Sequence, residues 1–138
     1  MSSEFIVNTR TEVKDWYKRK DIAQKYLKGK FSSPLGKLRH EINVKTINLF
    51  LKKSKARNVL DLACGPARLT SELKGSFRGI AVDSSDEMLK IAKERLKSNQ
   101  WKIKKMDAFQ VRKLNQKFSL ITCFRFIRHF NNQERTKI

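Results

Sequence analysis

Apolar positions in the first third of the chain recur at helical spacing between charged residues. Residues 11–28 are rich in charge and form a loose helical pattern. The apolar side chains of this pattern include Trp16, Tyr17, Ala23 and Tyr26. Gly29 is a plausible end for the predicted helix, because glycine is common just past a last helical turn.

A second helix is predicted to begin at Ser33-Pro34. Serine is a favoured N-cap, and proline is well tolerated at the first helical position. The apolar residues that continue at helical spacing from there are Leu35, Leu38, Ile42 and Leu49. This pattern carries the helix toward Lys53.

The rest of the chain alternates between strand-like and helix-like segments. The four predicted strands are Asn58–Leu62, Phe77–Val82, Trp101–Met106 and Phe118–Phe124. The predicted helices are Pro66–Lys74, ended by Gly75, a segment from Ser84 to about Lys97, and a last helix capped by Asn131 or Asn132. Ser84 and Glu87 have the spacing of a capping box, and the residues expected to face inward behind them are Met88, Leu89, Ala92 and Leu96.

This order of elements predicts an α/β fold with a mostly parallel sheet between helical layers. Strands joined through helices need right-handed crossovers, which place the strands in parallel. Ligands of such sheets bind at the carboxyl ends of the strands, beside the first strand. The sharpest motifs of this sequence fall at those ends.

Composition supports one folded domain and excludes several classes of protein. The chain has 138 residues, 39% of them hydrophobic, with 5 Gly and 2 Pro, so it is neither disordered nor collagen-like. No membrane span is expected, and Glu4, Asn8 and Arg10 argue against a secretory signal. Two cysteines cannot build a disulfide framework or a metal site. We therefore expect a cytoplasmic, reduced protein without a metal.

The net charge of +19 is unusually high and is spread along the chain. Residues 1–58 carry +10 and residues 59–138 carry +9. One interpretation is a polyanionic partner such as RNA, since phosphate neutralisation needs a basic surface. The other is a lysine-rich protein whose helix faces are simply solvated. The second is slightly favoured, because the sequence contains no motif of a known nucleic-acid module.

Three features at the predicted strand ends carry candidate chemistry. Val59–Arg68 forms a strand, a tight turn of small residues and a helix start, where backbone N–H groups meet a ligand closely. Asp83 follows the next strand, 22 residues beyond Asp61, where a carboxylate can accept both hydroxyls of a ribose. Asp107 follows the third strand and could accept the exocyclic amine of adenine; a turn-forming role is equally plausible.

These segments, taken in order, resemble a known family. Asp61-Leu-Ala-Cys-Gly-Pro-Ala-Arg, Ala81-Val-Asp-Ser-Ser-Asp-Glu-Met, Met106-Asp-Ala-Phe and Phe118-Ser-Leu-Ile-Thr-Cys-Phe resemble the first four motifs of a class I S-adenosylmethionine-dependent methyltransferase. The resemblance covers residues from about 38 to 138. It implies a Rossmann-like three-layer sandwich with strand order 3-2-1-4, preceded by an N-terminal helical cap over residues 1–37.

The resemblance also implies residue roles and S-adenosylmethionine as the cofactor. Asp61, Ala63 and Gly65 match the loop under its methionine part, and Asp83 matches the acidic residue on its ribose. The positions that match the adenine site are Ser84, Met88, Asp107 and Ala108. Cys123 and Phe124 match the end of strand four, beside the sulfonium and the methyl acceptor.

The sequence departs from the family pattern in its turn and in its length. Ala63 and Ala67 replace two glycines, which is acceptable if both positions keep a negative φ. The same turn argues against a nicotinamide cofactor, because Arg68 occupies the third glycine position of that motif. The family sheet has seven strands and this sequence supplies four, so we expect a truncated chain whose missing strands a second chain can supply.

Other residues near the predicted site have two plausible roles. His129 follows strand four, where the family places a general base, but a lone histidine beside an apolar strand is usually structural. Arg125 and Arg128 flank the same mouth, either to hold an acidic substrate or as solvated residues. Trp16, Tyr17 and Tyr26 could form a lid, although packing against the sheet is favoured.

The resemblance therefore predicts methyl transfer from S-adenosylmethionine to an O, N or C acceptor. The alternative is a non-catalytic or truncated cofactor-binding fragment, with RNA association through the basic surface as one version of it.

Overall fold

The computed structural model describes residues 10–29 and 31–138, without the side chains of residues 10, 11, 13, 14 and 27. The helices are α1 (Arg10–Lys18), α2 (Lys20–Lys28), α3 (Pro34–Ser54), α4 (Asp86–Arg95) and α5 (Asn132–Arg135). The strands are β1 (Asn58–Leu62), β2 (Arg78–Asp83), β3 (Trp101–Lys105) and β4 (Leu120–Thr122). Three 3₁₀ segments cover Thr70–Glu72, Ala108–Leu114 and Ile127–His129. Of the residues named against a secretory signal, Glu4 and Asn8 lie outside the described residues.

The four strands form one parallel sheet in the order β3-β2-β1-β4. β1 pairs with β2 from Asn58 opposite Arg78, and β2 pairs with β3 from Gly79 opposite Trp101. β4 adds only three paired residues on the other side of β1. The Rossmann-like order 3-2-1-4 expected from the sequence is confirmed.

Alternate residues of the central strands point into two separate cores. Val59 and Ala81 join residues of α3 and α4 in one core. Leu60 and Val82 join the 3₁₀ segment 108–114 and the C-terminal residues in the other. Because successive strand residues face opposite sides of a sheet, this arrangement makes three layers. The sheet lies in the middle.

The helix predicted over residues 11–28 is instead two helices. The backbone at Arg19 is extended, with φ −72° and ψ 132°, and separates α1 from α2. The Arg19 side chain donates to both carboxylate oxygens of Asp21, at 3.1 and 2.9 Å. Both helices contact α4. A single straight helix over the same residues would extend beyond α4, so packing explains the break.

The helix predicted over Pro66–Lys74 is wrong. Turns and the short 3₁₀ segment Thr70–Glu72 stand there. Ala67 has a φ of 55°, which a right-handed helix does not accommodate, and the Thr70 hydroxyl is held by the buried Asp61 carboxylate. The local sequence favours a helix, but these two tertiary constraints prevent it.

The predicted N-cap residue is correct for α3 and wrong for α4. Ser33 caps α3 as expected, accepting from the Gly36 N–H at 3.1 Å. For α4 the predicted cap Ser84 is wrong, because Ser85 accepts from the Met88 N–H at 3.2 Å. The one-residue shift follows from β2, which runs on to Asp83 and starts at Arg78 instead of Phe77. Asn131 caps α5 through a capping box.

The apolar side chains that predicted α3 lie on its exposed face. Leu35, Leu38, Ile42 and Leu49 are each at least half exposed. The helix is anchored on its other face by Ile47 and Leu51, which are buried in the core with β1. Since residues of a helix repeat every 3.6 positions, the exposed stripe faces away from the sheet. α3 runs across residue 37 without a break. The division of the chain into an N-terminal cap over residues 1–37 and a cofactor-binding domain stays a prediction.

Candidate functional site

The carboxyl ends of β1 and β2 bring the two main sequence motifs into contact. The Cys64 N–H donates to the Val82 carbonyl at 2.9 Å, which holds the turn after β1 against β2. The Gly65 N–H donates to the Asp83 carboxylate at 2.9 Å. The Met106 N–H donates to the Asp83 carbonyl at 2.9 Å, which brings the end of β3 to the same edge. Three strand ends therefore meet around Asp83.

The turn after β1 alternates left-handed residues with ordinary ones. Ala63, Gly65 and Ala67 have φ angles of 57°, 55° and 55°. The condition that both alanines keep a negative φ is therefore wrong, because the tight turn forces them into the left-handed region. A Cβ added at Gly65 would meet nothing within 4 Å, so the backbone there faces open space. The N–H groups of Cys64, Gly65 and Ala67 in this turn donate to protein acceptors.

Asp83 is a half-buried carboxylate that organises this edge of the sheet. One oxygen accepts from Gly65 N–H, and the other accepts from Ser85 N–H at 2.9 Å. Burial raises its pKa, and the hydrogen bonds from the backbone N–H groups of Ser85, Gly65 and Ser84 oppose that rise. Each carboxylate oxygen has two lone pairs, so Asp83 keeps acceptor capacity for a ligand hydroxyl group beside these three N–H donors. Its predicted ribose role is compatible with this geometry and stays a prediction.

Asp61 lies behind the turn and not in the cavity. It is 6% exposed, and its oxygens accept from the Thr70 hydroxyl and, at 2.9 Å, from the Thr122 hydroxyl. Burial raises the pKa of Asp61 to about 6, although both threonine hydrogen bonds lower it. The side chain therefore supports the turn from below, which is the position the resemblance implied for the loop.

A cavity of about 760 Å³ opens at these strand ends. Seven of the predicted cofactor residues line it: Ala63, Gly65, Asp83, Ser84, Met88, Asp107 and Ala108. Asp61 and Cys123 do not line it. Burial raises the pKa of the Cys123 thiol to about 11, so Cys123 is neutral at ordinary pH.

Asp107 has the turn-forming role, one of the two that the sequence left open. Its carboxylate accepts from the Phe109 N–H at 3.1 Å and begins the 3₁₀ segment 108–114. The residue also lines the cavity. The turn-forming role is therefore present in the structure, and the adenine role stays a prediction.

His129 also lines the cavity, in the 3₁₀ segment after β4. Burial lowers its pKa, and the nearby guanidinium groups of Arg128 and Arg125 lower it further. The imidazole is therefore neutral at pH 7 and has one nitrogen able to accept a proton. That protonation state is the one a general base requires.

The N-terminal helices cover the cavity instead of packing into the core. Tyr17 and Tyr26 line it, with their ring centres 6.1 Å apart. The Ser85 hydroxyl donates to the Tyr17 carbonyl at 2.7 Å, which ties α1 to the start of α4. The packing role favoured from the sequence is wrong for these tyrosines.

Several lining residues were not predicted. They are the apolar residues Pro66, Met106, Phe109, Phe126 and Phe130. The Phe130 ring packs edge-on against both Phe109 and Phe126, at 5.3 and 4.8 Å between ring centres. The density of phenylalanine after residue 108 was the only available signal, and it does not separate a cavity wall from a core.

The part of the chain that the structure describes contains no group of three metal-ligating side chains. No helix in that part is long and apolar enough to cross a membrane. Cys64 and Cys123 are both free thiols.

The fold is similar to solved methyltransferase structures. Magnesium protoporphyrin IX methyltransferase from Synechocystis PCC 6803, solved with bound SAM, superposes with a TM-score of 0.74 at 17% identity, over 92% of this chain and 66% of its own. An S-adenosylmethionine-dependent methyltransferase from Clostridium acetobutylicum ATCC 824 gives a TM-score of 0.55 at 28% identity, over 68% of this chain and 41% of its own. A putative caffeoyl-CoA O-methyltransferase from Staphylococcus aureus gives 0.52 at 17% identity, over 58% and 43%. This chain thus spans less than two-thirds of the length of each.

A search of curated proteins found no significant match. The family model described as methyltransferase domain matches residues 59–138, which include β1 to β4 and every described wall of the cavity except the N-terminal tyrosines. The match covers more than half of the sequence and confirms the resemblance drawn from the four motifs. The chain belongs to the methyltransferase domain family.

Proposed function

We propose that this protein binds S-adenosylmethionine in the cavity beside Asp83 and transfers its methyl group to an O, N or C acceptor. The observation that carries the proposal is the Asp83 carboxylate, which lines the cavity and accepts a hydrogen bond from the Gly65 N–H at the carboxyl ends of adjacent strands. Family membership and the fold shared with a methyltransferase solved with bound SAM support it.

The residues present fit such a cofactor. Asp83 retains lone pairs for the ribose hydroxyls, and the open space at Gly65 lets the backbone approach the ligand closely. Met88, Met106 and Ala108 supply apolar walls for a flat base. The cofactor, once bound, supplies an electrophilic methyl group on a sulfonium.

The protein's own contribution is alignment and exclusion of water. Tyr17 and Tyr26 cover the cavity from the N-terminal side, and Phe124 lines it at the end of β4. An acceptor that must lose a proton can give it to the neutral imidazole of His129. We assign His129 this role on its position and protonation state.

The first experiment is equilibrium binding of S-adenosylhomocysteine by calorimetry. The wild type should bind, and Asp83→Asn should weaken binding by about 1.5–3 kcal/mol, since a charged hydrogen-bond partner is lost. Asp86→Asn is the matched control, because Asp86 is an aspartate three residues away whose carboxylate bonds the exposed Lys105. Absence of binding at millimolar ligand, or equal affinities for Asp83→Asn and wild type, contradicts the proposal.

The second experiment separates catalysis from mere binding. Transfer of labelled methyl groups into candidate acceptors is measured with the same protein. Binding of the cofactor without any transfer would favour the alternative of a cofactor-binding fragment. Strongly salt-dependent RNA binding would favour the RNA-associated version of that alternative.

We also propose that a second polypeptide chain adds a strand beside β4. β4 has β1 as its one neighbour in the sheet, and its Ile121 side chain is 57% exposed. A free strand edge next to exposed apolar residues is a favourable site for strand addition.

A further inference from the structure

Three arginine side chains converge on one rim of the cavity. The Arg68 guanidinium carbon lies 3.4 Å from the centre of the Phe31 ring, and that of Arg125 lies 5.4 Å from the same centre. Arg128 and Arg125 both lie close enough to the Tyr17 hydroxyl to lower its pKa, against the larger rise caused by burial. Of this arginine cluster (Arg68, Arg125 and Arg128), Arg125 lines the cavity, as Tyr17 does.

No carboxylate among the described residues forms an ion pair with this cluster. The ion pairs of that part of the chain use lysines, Arg19 and His40 as their cations. Arg68 contacts the ring nitrogen Nδ1 of His40, which is not an anion. Asp83, the carboxylate nearest the turn, bonds the backbone N–H groups of Gly65 and Ser85.

The cluster runs from the interior to the surface of the protein: Arg68 is only 9% exposed, Arg125 is half-buried and Arg128 is exposed. Buried guanidinium groups almost always have a partner, and that of Arg68 is His40. His40 positions it and is itself bonded to the Glu72 carboxylate. Arg125 has a φ of 60°, an uncommon left-handed conformation for a residue other than glycine. Like charges held this closely beside a cavity are unfavourable unless an anion joins them.

The proposed cofactor does not supply the balancing charge. S-adenosylmethionine carries a sulfonium and an ammonium against one carboxylate, so its own net charge is positive. Binding it adds positive charge to the same cavity. A further ligand with negative charge is therefore required for electrostatic complementarity.

We propose that the methyl acceptor is an apolar molecule that carries an oxyanion, either a carboxylate or a phosphate group, held by Arg125 and Arg128. This inference rests on the proposed function. The planar guanidinium group suits both oxyanions because it donates two parallel hydrogen bonds. The aromatic side chains of Tyr17, Tyr26 and Phe126 line the cavity for the apolar body. Arg68, which is more deeply buried, adds to the positive potential.

The test uses three probes with the same ring system: naphthoate, naphthyl phosphate and the neutral naphthamide. Each is titrated into the full chain saturated with S-adenosylhomocysteine, at low salt. At least one anionic probe should bind about tenfold more tightly than the amide, the effect of one charge-assisted hydrogen-bonded pair. The anion that binds more tightly identifies the acceptor group as a carboxylate or a phosphate.

Substitutions then identify the arginines that bind the anionic probe. Arg125→Gln and Arg128→Gln should each lower the affinity for the anionic probe about fivefold or more and leave the affinity for the amide unchanged. Arg78→Gln is the matched control, since it removes the same charge from the opposite end of β2. It should leave all three probes unchanged. The proposal is overturned if the amide binds as tightly as both anions, or if Arg78→Gln weakens the anions as much as Arg125→Gln.

A parallel measurement separates this proposal from the cofactor. S-adenosylhomocysteine is compared with methylthioadenosine, which lacks the amino-acid carboxylate. If Arg125→Gln weakens only the first of these, the cluster holds the cofactor's carboxylate and the acceptor proposal is wrong. Failure of S-adenosylhomocysteine to bind at all contradicts the proposed function instead, and the naphthyl probes then report on the cluster in the unliganded protein.

Discussion

At the scale of single residues, the site depends on side chains held in environments that oppose their ordinary preferences. Asp61 is a carboxylate without an exposed oxygen, and Ala63 and Ala67 occupy left-handed backbone conformations. Both features lie in the turn after β1 or directly behind it. Unfavourable local conformations and buried charges of this kind persist where the surrounding structure enforces them.

Asp61 should make the fold less stable as pH rises. Its pKa is about 6 in the folded chain, against 3.8 for the ordinary carboxyl group, because burial disfavours the charged form. Between those values the folded state retains the proton that the unfolded chain releases, so rising pH lowers the free energy of unfolding. Two pKa units correspond to about 3 kcal/mol as an upper limit.

Denaturant unfolding of wild type and Asp61→Asn at about pH 4 and about pH 7 measures this effect. Asparagine keeps the shape of the side chain and cannot ionise. The wild type should lose stability relative to the variant at the higher pH. A difference between the two proteins that stays constant with pH contradicts the burial argument.

Ala63→Gly should stabilise the protein. Ala63 has a φ of 57° and is only partly buried, so glycine removes backbone strain without leaving a cavity. The expected gain is about 0.5–1 kcal/mol in the free energy of unfolding, measured by denaturant titration. Ala67→Gly is the matched comparison. Ala67 is fully buried, so loss of its methyl group offsets most of the same gain. A destabilised Ala63→Gly protein contradicts the strain assigned to this position.

At the scale of elements, short contacts at the sheet edge couple helices that are distant in sequence. Ser85 both caps α4 and bonds the Tyr17 carbonyl of α1. The same side chain is completely buried. The N-terminal helix α1, which contributes Tyr17 to the cavity wall, is therefore attached to the start of α4.

Ser85→Ala should loosen the N-terminal helices. It removes the cap of α4 and leaves the Tyr17 carbonyl without its partner, at an expected cost of about 1–2 kcal/mol. Limited proteolysis at the α1–α2 junction should become faster, and the free energy of unfolding should fall. Ser76→Ala, at an exposed position before β2, is the control. Equal proteolysis rates for Ser85→Ala and wild type contradict this coupling.

At the scale of the whole molecule, one face is apolar and exposed. Leu35, Leu38 and Ile42 on α3 are each more than half exposed and face away from the sheet. Large exposed apolar surfaces normally mark a contact with another molecule.

In isolation the chain should therefore associate with itself as its concentration rises. Ile42→Lys should shift the protein toward the monomer, because it places a charge in the centre of the apolar stripe. Gln24→Lys adds the same charge to an exposed position of α2 and should have no such effect. Sedimentation velocity over a concentration series measures both. A wild type that stays monomeric at every concentration contradicts this role for the surface.

The sequence by itself determined the mostly parallel sheet, and the resemblance of its motifs to a family implied the strand order and most of the cavity residues. β1 was predicted residue for residue, and the motifs around Gly65 and Asp83 do line one cavity, because hydrophobic periodicity and turn residues are local signals. Local signals were also the source of the errors, as in the helix predicted after Pro66 and the N-cap assigned to Ser84.

Only the tertiary structure decided the conformation of the turn, the break at Arg19 and the direction in which α3 presents its leucines. Each depends on contacts between residues far apart in sequence, such as Cys64 with Val82 or Ser85 with Tyr17. The arginine cluster has the same origin. Arg68 is distant in sequence from Arg125 and Arg128, and its proximity to Arg125 over the Phe31 ring is a property of the fold and not of any local pattern.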